Sequence, residues 1–422
     1  MTDRTLKPLT LAAIGCGART RTYIGLAGRQ PGRYLPVAAA DPRPERLKQT
    51  AQLSNNPAFR TFKDADAILA EGKLADVMII GTQDAWHRKH AIAAMETGYD
   101  LLLEKPIATT LEDTLTVEAT ARRLGRRVLV CHVLRYTPLY RQIKTILESG
   151  ALGEIVSINA TEGVGAFHQA HSFVRGHWAV TRQSSPMILA KSCHDLDILR
   201  WLAGQPCEQV SSAGGLTHFR AANAPEGAPE RCLDGCPVED SCPYYARHYV
   251  GKEKFWLEHI CDLPKKASDE ERLAWIHSSP WGRCVYRCDN DAVDHQVVQL
   301  QFAGGLTASF TMTAFESGRH IEIYGTKGKL RAGPYIREGY GEGDIVVRYL
   351  DGREDDVYDS QPEEGGYASH GGGDAGIMHA LYDEMQKGDP AEMTSSLEVS
   401  VESHRIAFAA EEARKRRQVV LL

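Results

Sequence analysis

The stretch LTLAAIGCGART, residues 9–20, decides the architecture of the first third of the chain. Leu9–Ile14 is short and almost wholly apolar, the pattern of a strand buried on both faces of a parallel sheet. Gly15-Cys16-Gly17 follows at once, and Ala18-Arg19-Thr20 opens a helical stretch. Two glycines let the backbone turn tightly and approach a ligand, and a helix that starts there aims its free amides at an anion. This is most of a dinucleotide-binding fingerprint, with Thr20 where its third glycine would stand. Gly15, Gly17, Ala18, Arg19 and Thr20 are therefore candidate contacts for the pyrophosphate of a nicotinamide cofactor.

Working outward, the same alternation repeats. YLPVAAAD, residues 34–41, reads as a second strand ending in Asp41, which is placed to accept both ribose hydroxyls and to repel a 2′-phosphate. That favours NAD over NADP, although Arg43 pulls the other way. ADVMIIGT, residues 75–82, is a third strand, followed by Gln83, Asp84 and His87. Ligands bind at the carboxyl ends of parallel strands, so Gly81, Thr82, Gln83 and His87 join the cofactor candidates. Asp84 either lines the site or caps a helix. DLLL, residues 100–103, is a fourth strand that runs into Glu104-Lys105-Pro106, and RRVLVCHV, residues 126–133, is a fifth. Strands alternating with helices predict a Rossmann-type α/β domain over residues 1–134.

Three motifs, GCGART, GT-x-D-x-x-H and Glu104-Lys105-Pro106, each follow a strand, and with them the chain resembles the glucose–fructose oxidoreductase/inositol dehydrogenase/MocA (Gfo/Idh/MocA) family. The resemblance covers essentially the whole chain except residues 205–290. It implies an NAD-dependent oxidoreductase that removes hydride from a ring carbon of a sugar or sugar derivative. It puts Lys105 beside the nicotinamide after a cis Lys-Pro bond, with Glu104 pairing with Lys105 or lining the cofactor pocket. It also implies a homodimer or homotetramer built through the open face of a second-domain sheet. Arg135 and Tyr136 match an arginine–aromatic pair beside the active site, Arg135 toward the cofactor and Tyr136 toward the substrate. The family's D-x-x-x-H motif falls on ILAKSCHDLDILRWLAG, residues 188–204; His194 matches the histidine, but Ala190 stands in place of the aspartate.

Lys191 and His194 are three residues apart on one helical face, and Asp197, three further on, is spaced to orient the imidazole. Lys105, His194 and Lys191 are the candidate catalytic groups, and Asp195 a substrate contact. Upstream, GVGAFHQAHSFVRGHWAVTRQ (163–183) holds His168, His171, Arg175, His177 and Trp178 in a loop-like run. An aromatic plane with donors around it suits a sugar, and the cationic surplus suits an anionic one; a plain histidine-bearing surface is the alternative. Two outcomes of one hydride removal stay open: release of an oxidised sugar, or a redox-neutral glycosidase in which the transient ketone drives elimination of the aglycone. A sugar-sensing regulator on the same scaffold is a third reading.

Beyond residue 135 the texture changes. Alternating runs over 154–163, 297–315 (turning at Gly304-Gly305) and 320–333 predict a mostly antiparallel open sheet in an α+β domain, residues 135–422. EEGGYASHGGGDAG, residues 363–376, reads as flexible, and helices at roughly 375–387 and 396–416 close the chain. Residues 205–290 read as an insertion, and six of the ten cysteines cluster within it between Cys232 and Cys288. Cys232, Cys236, Cys242 and Cys284 are candidate ligands of a structural zinc, with buried thiols or disulfides as alternatives. Net charge is −6 and charged content 25%, so no basic surface calls for nucleic acid, and no apolar run reaches membrane-spanning length. A cytoplasmic protein acting on a small sugar or glycoside is expected.

Overall fold

The computed structural model describes residues 7–261, 263–264, 266–333, 344–360, 369–387 and 394–422. Its first sheet is parallel throughout. It comprises β1 (Leu9–Ile14), β2 (Tyr34–Ala40), β3 (Arg60–Phe62), β4 (Val77–Ile80), β5 (Asp100–Leu103) and β6 (Val128–Val130), in the order β3-β2-β1-β4-β5-β6. The order reverses between β1 and β4, which is where such sheets open a crevice for ligands at their carboxyl ends. Only β3, a three-residue strand of sequence RTF with little apolar pattern, escapes the sequence reading.

The second sheet has nine strands: β7 (Ile155–Val164), β8 (Cys207–Gly215), β9 (His295–Phe302), β10 (Thr307–Thr313), β11 (Ser317–Gly325), β12 (Gly328–Ala332), β13 (Asp344–Tyr349), β14 (Asp356–Asp359) and β15 (Val420–Leu421). All described neighbours are antiparallel except β7 and β10. Gln296, Val298, Leu300 and Phe302 of β9, with Ala308, Phe310 and Met312 of β10, point into the core. The residues that alternate outward are mostly polar: Gln299, Gln301, Thr307, Ser309 and Thr311, with Val297 among them. The apolar alternation read from the sequence thus belongs to the inner face.

The insertion is shorter than expected. β8 pairs with β9 along its length, so residues 205–215 belong to the sheet and residues 216–294 form the excursion. Asp294, fully buried, closes it by accepting the amides of Thr217 (2.9 Å) and His218 (2.6 Å). Residues 361–368, part of the glycine-rich stretch, lie outside the described residues, and Gly373–Lys387 is helical. That helix packs Ile377, Met378 and Leu381 on one face of the first sheet. The helix Leu397–Arg416 puts Leu397 and Val401 on the other face and Ile406 and Ala410 in the second domain's core. Among the described residues, no helix is long and apolar enough to cross a membrane.

Thr20 at the third-glycine position is accommodated from the other side. A third glycine normally permits close helix–strand packing. Here the small residue is Gly81: a Cβ on it would sit 2.1 Å from Thr20 Oγ1, and one on Gly15 (φ +85°) would sit 2.7 Å from Gly81 O. Gly81→Ala should therefore cost about 1–3 kcal/mol by overpacking. Adding Thr20→Gly should recover part of that loss, a coupling measurable in a urea double-mutant cycle.

Candidate active site

The turn after β1 has the features a pyrophosphate needs. Gly15 adopts positive φ, and the 11-residue helix Ala18–Gly28 has neither a side-chain cap nor an acid in its first turn. Its leading amides are thus oriented for an anion. Asp41 sits at the end of β2 with Oδ2 accepting Cys16 N–H (2.7 Å) and Oδ1 accepting Arg43 N–H (2.8 Å), which fixes a carboxylate beside the turn. These residues fit a dinucleotide.

Glu104 does not pair with the Lys105 ammonium. Its Oε1 accepts Arg19 Nε (3.1 Å) and Tyr23 Oη (2.8 Å), and its Oε2 faces the Lys105 amide at 3.2 Å. Arg19 also donates to the buried Asp374 (2.9 Å). Burial alone would raise the Glu104 carboxyl, but Arg19 and Lys105 outweigh it and hold it below its usual value. The Arg19 guanidinium is thus the counter-ion of Glu104 and Asp374, the latter 355 residues away.

With Glu104 committed elsewhere, Lys105 reaches across to the second domain, where Nζ donates to Ala190 O at 2.7 Å. Ala190 is the position where the aspartate is missing, so the ammonium is held by main chain and not by a carboxylate. The Lys105–Pro106 peptide is cis, as the resemblance implied. Two buried histidines brace this turn. His87 faces Pro106 O (2.6 Å) and Thr82 O (3.1 Å) and so is a brace, not a cofactor contact. His404 Nε2 accepts Ile107 N–H at 3.0 Å.

Opposite Lys105 lies the helix Cys193–Ala203. His194 is 6% exposed; burial first, then Lys105, drives its pKa well down, so its imidazole is unprotonated. Lys191 pairs with buried Glu162 (3.1 Å); Arg319 bonds both Glu162 (2.8 Å) and Asp195 (2.7 Å). Asp195 is thus a member of a buried charge network, with its pKa raised to about 6 chiefly by burial. Asp197 does not orient His194. It takes Arg135 bidentately (2.6 and 2.8 Å), while Arg135 also donates to Thr394 O (2.6 Å). Arg135, 1% exposed, ties the two domains and the C-terminal segment and is not a cofactor contact. Tyr136 is buried against Ser395 (2.9 Å) in the first domain's core and is not a substrate contact.

The histidine loop splits in two. His168 follows the end of β7, whose Glu162 pairs with Lys191, and burial first and then Lys191 depress its pKa. Trp178 donates to Asp84 Oδ2 (2.9 Å), as does Ser185 (2.9 Å), so Asp84 clasps the loop to the first domain. His171 faces Tyr249 Oη (2.9 Å) and lies between Trp256 and Trp281, and His177 meets Trp281 edge-on. Arg175 turns into the insertion, donating to Arg283 O (2.7 Å), Tyr244 O (2.8 Å) and Cys232 Sγ (3.3 Å). The cationic surplus of this loop therefore does not face the substrate.

The expected zinc is not supported. Cys232, Cys236, Cys242 and Cys284 do line one small cavity together with Arg175. Among the described residues, however, no three His, Cys, Asp or Glu side chains are arranged to hold a metal ion, and all four cysteines are free thiols. Burial raises the Cys242 and Cys284 thiols, and the Arg175 guanidinium donates to Cys232 Sγ at 3.3 Å.

Comparison with known proteins agrees with this geometry. The NAD-binding Rossmann model of the GFO_IDH_MocA oxidoreductase family matches residues 9–132, and the family's C-terminal alpha/beta domain matches residues 144–422. The chain belongs to this family. It is an NAD-linked oxidoreductase. The Bacillus subtilis protein YteT, named an oxidoreductase, is 26% identical over 391 residues, 87% of each chain. A 1-carboxy-3-chloro-3,4-dihydroxycyclohexa-1,5-diene dehydrogenase of Comamonas testosteroni is 30% identical over 231 residues, 54% of this chain and 56% of that one. The scyllo-inositol dehydrogenase of Lactobacillus casei, solved with NAD(H) and scyllo-inositol, superposes with a TM-score of 0.66 at 16% identity over 98% of this chain and 99% of that one.

The sequence missed Tyr23, His132, Glu162, Arg319, Asp374 and His404, all buried or partly buried and meeting partners far apart in the chain. Two expectations follow. Asp197→Ala, which leaves Arg135 buried without its partner, should lose about 3–5 kcal/mol in urea denaturation. It should leave the NAD dissociation constant unchanged by fluorescence titration. Burial also lowers His132 to about 4 and His171 and His404 to about 3. Unfolded histidines titrate near about 6.5, so unfolding takes up protons below that pH. The stability these groups contribute is whole above about 6.5 and is lost as pH falls toward about 3, with only Asp195 opposing it between about 4 and 6. His404→Gln should reduce the slope of stability against pH by about one proton.

Proposed function

We propose that the chain oxidises a hydroxyl-bearing ring carbon of a neutral sugar or cyclitol, with Lys105 and His194 managing the hydroxyl proton. The observation that carries this is the pairing of an ammonium held by a main-chain carbonyl, Lys105 Nζ to Ala190 O at 2.7 Å, with a buried neutral histidine beside it. Support for oxidation at a hydroxyl-bearing ring also comes from relatives named for dehydrogenating a carboxylated dihydroxy ring and scyllo-inositol, the second of which is neutral.

When bound, NAD would accept the hydride, held by the Gly15–Thr20 turn, with Asp41 on its adenosine ribose; the carboxylate at that position favours NAD over NADP. Lys105 donates a hydrogen bond to the substrate hydroxyl and thereby stabilises negative charge developing on its oxygen. His194, neutral because it is buried next to that cation, takes the proton. Lys191 holds Glu162 in place and donates another of its ammonium hydrogens to a neighbouring substrate hydroxyl. His168 and Trp178 line the substrate's far side.

Cleavage of a glycoside without net oxidation is the second reading. It is favoured by the aromatic residues that the insertion adds outside His168, a wall larger than a lone cyclitol requires. Assembly into a homodimer or homotetramer through the outer face of the nine-stranded sheet belongs to the same proposal. Sedimentation that shows only monomer at micromolar concentration overturns that part.

The decisive assay incubates the protein with NAD and a panel of cyclitols, free sugars and glycosides, following reduced cofactor and released aglycone together. NADH rising in step with sugar consumption supports the oxidation. Many aglycones per NAD without NADH supports the redox-neutral course, and silence on both with NAD still bound defeats the proposal. Lys105→Ala and His194→Ala should each lower turnover by a factor of about 10²–10⁴ while NAD affinity stays within about twofold.

A further inference from the structure

The insertion leaves one feature that the reaction above does not use, an aromatic strip on the short helix Lys254–Ile260. The Trp256 ring lies 4.4 Å from that of His168 at 31°, and 5.0 Å from that of His171 at 38°. Phe255 meets Trp256 edge-on at 5.3 Å, and His259 packs 4.4 Å from Phe255. Trp256 is half-buried, whereas Phe255 is 61% exposed. A single exposed aromatic needs no explanation, but one continuous with a half-buried tryptophan forms a patch, and such patches mark binding surfaces.

We propose that Trp256 and Phe255 form an outer subsite that stacks the second sugar ring of a glycoside whose first ring is held at Lys105 and His194. The inference rests on the sugar reading above and extends it to the half of the substrate that does not react.

Three observations carry it. The first is position. His168 stands on the helical turn Ala166–Gln169 that directly follows β7, whose Glu162 holds Lys191 at 3.1 Å, so Trp256, 4.4 Å from His168, stands one ring beyond that edge of the site. The second is rigidity. Beneath Trp256, His171 is fixed by Tyr249 Oη, and its carbonyl accepts Trp281 Nε1 at 3.1 Å, so the platform rests on a buried base. The third is character. Arg175 points away into the cysteine cavity, and burial keeps His168 and His171 uncharged, so the surface is neutral and aromatic. It offers flat π faces to the C–H side of a pyranose. The strip belongs to residues 216–294, the excursion between adjacent strands β8 and β9, so its presence is independent of the hydride-transfer core.

The test uses the full-length, NAD-loaded protein and its Trp256→Ala, Trp256→Phe and Phe255→Ala variants. Calorimetry compares a panel of disaccharides with the methyl glycosides of their reacting sugars. The wild type should bind at least one disaccharide about tenfold more tightly than its methyl glycoside. Trp256→Ala should abolish that difference, Trp256→Phe should keep most of it, and Phe255→Ala should reduce it. Methyl-glycoside and NAD affinities should be unchanged in all three, which also reports that each variant is folded. Equal affinity of the wild type for disaccharides and methyl glycosides overturns the subsite and leaves the sugar reading standing. So does a Trp256→Ala variant that loses both ligands alike, because Trp256 would then only prop His168. Binding of neither class defeats the sugar reading, and the subsite with it.

Discussion

The hydrogen bond from Lys105 Nζ to the carbonyl of Ala190 joins the end of a strand in one domain to the start of a helix in the other. An ammonium at the carboxyl edge of a buried sheet is tolerated only when something satisfies it. Here a main-chain oxygen does so, and it leaves the other ammonium hydrogens for a substrate. A carboxylate in the same place would compete for those hydrogens and offset the charge. The turn that presents Lys105 is correspondingly over-determined, with His87 against Pro106 O, His404 on Ile107 N–H and Glu104 against the Lys105 amide. Removing any one brace leaves the others, so these residues act through Lys105's position and not through contact with the reacting atoms.

Around that contact most buried acids are paired off. Glu104 and Asp374 take Arg19, Asp197 takes Arg135, and Glu162 and Asp195 share Lys191 and Arg319. The charges nearest His194 are therefore cations or already neutralised pairs, and a buried imidazole there stays unprotonated. The arrangement accounts for the unprotonated form: desolvation lowers the imidazole's pKa, and no nearby free carboxylate restores it. Asp195 is the one acid in this set held near about 6, since burial and Glu162 act against Arg319.

What the sequence disclosed and what it withheld divide along a physical line. Strand periodicity, the glycine turn, Asp41 and the Glu104-Lys105-Pro106 corner are local patterns, and each is found where the chain order puts it. The partners of Arg19, Arg135, Tyr136 and Asp197 are not legible in the sequence, because a charged or polar side chain at the right offset says nothing of a partner far along the chain. Arg19 meets Asp374, and Arg135 reaches Thr394. Thr20 is the instructive intermediate. The missing third glycine was visible, but its replacement by Gly81 on the facing strand required knowledge of which strand lies opposite.

The same line explains the substrate loop. Counted along the sequence, His168, His171, Arg175 and His177 look like one cationic cluster that awaits an acidic sugar. Folding distributes them. Arg175 satisfies two carbonyls and a thiol inside the insertion, and His171 and His177 become aromatic surfaces packed against Trp281. Only His168 keeps company with Lys105 and Lys191, and burial holds it uncharged. A buried guanidinium held by carbonyls is worth its desolvation only if it organises something, and here it anchors residues 216–294 against the loop that carries His168. The insertion and the active site are thus one packed unit. Whatever the substrate presents beyond its reacting ring meets tryptophan and phenylalanine before it meets charge, and this favours neutral ring substrates over acidic ones.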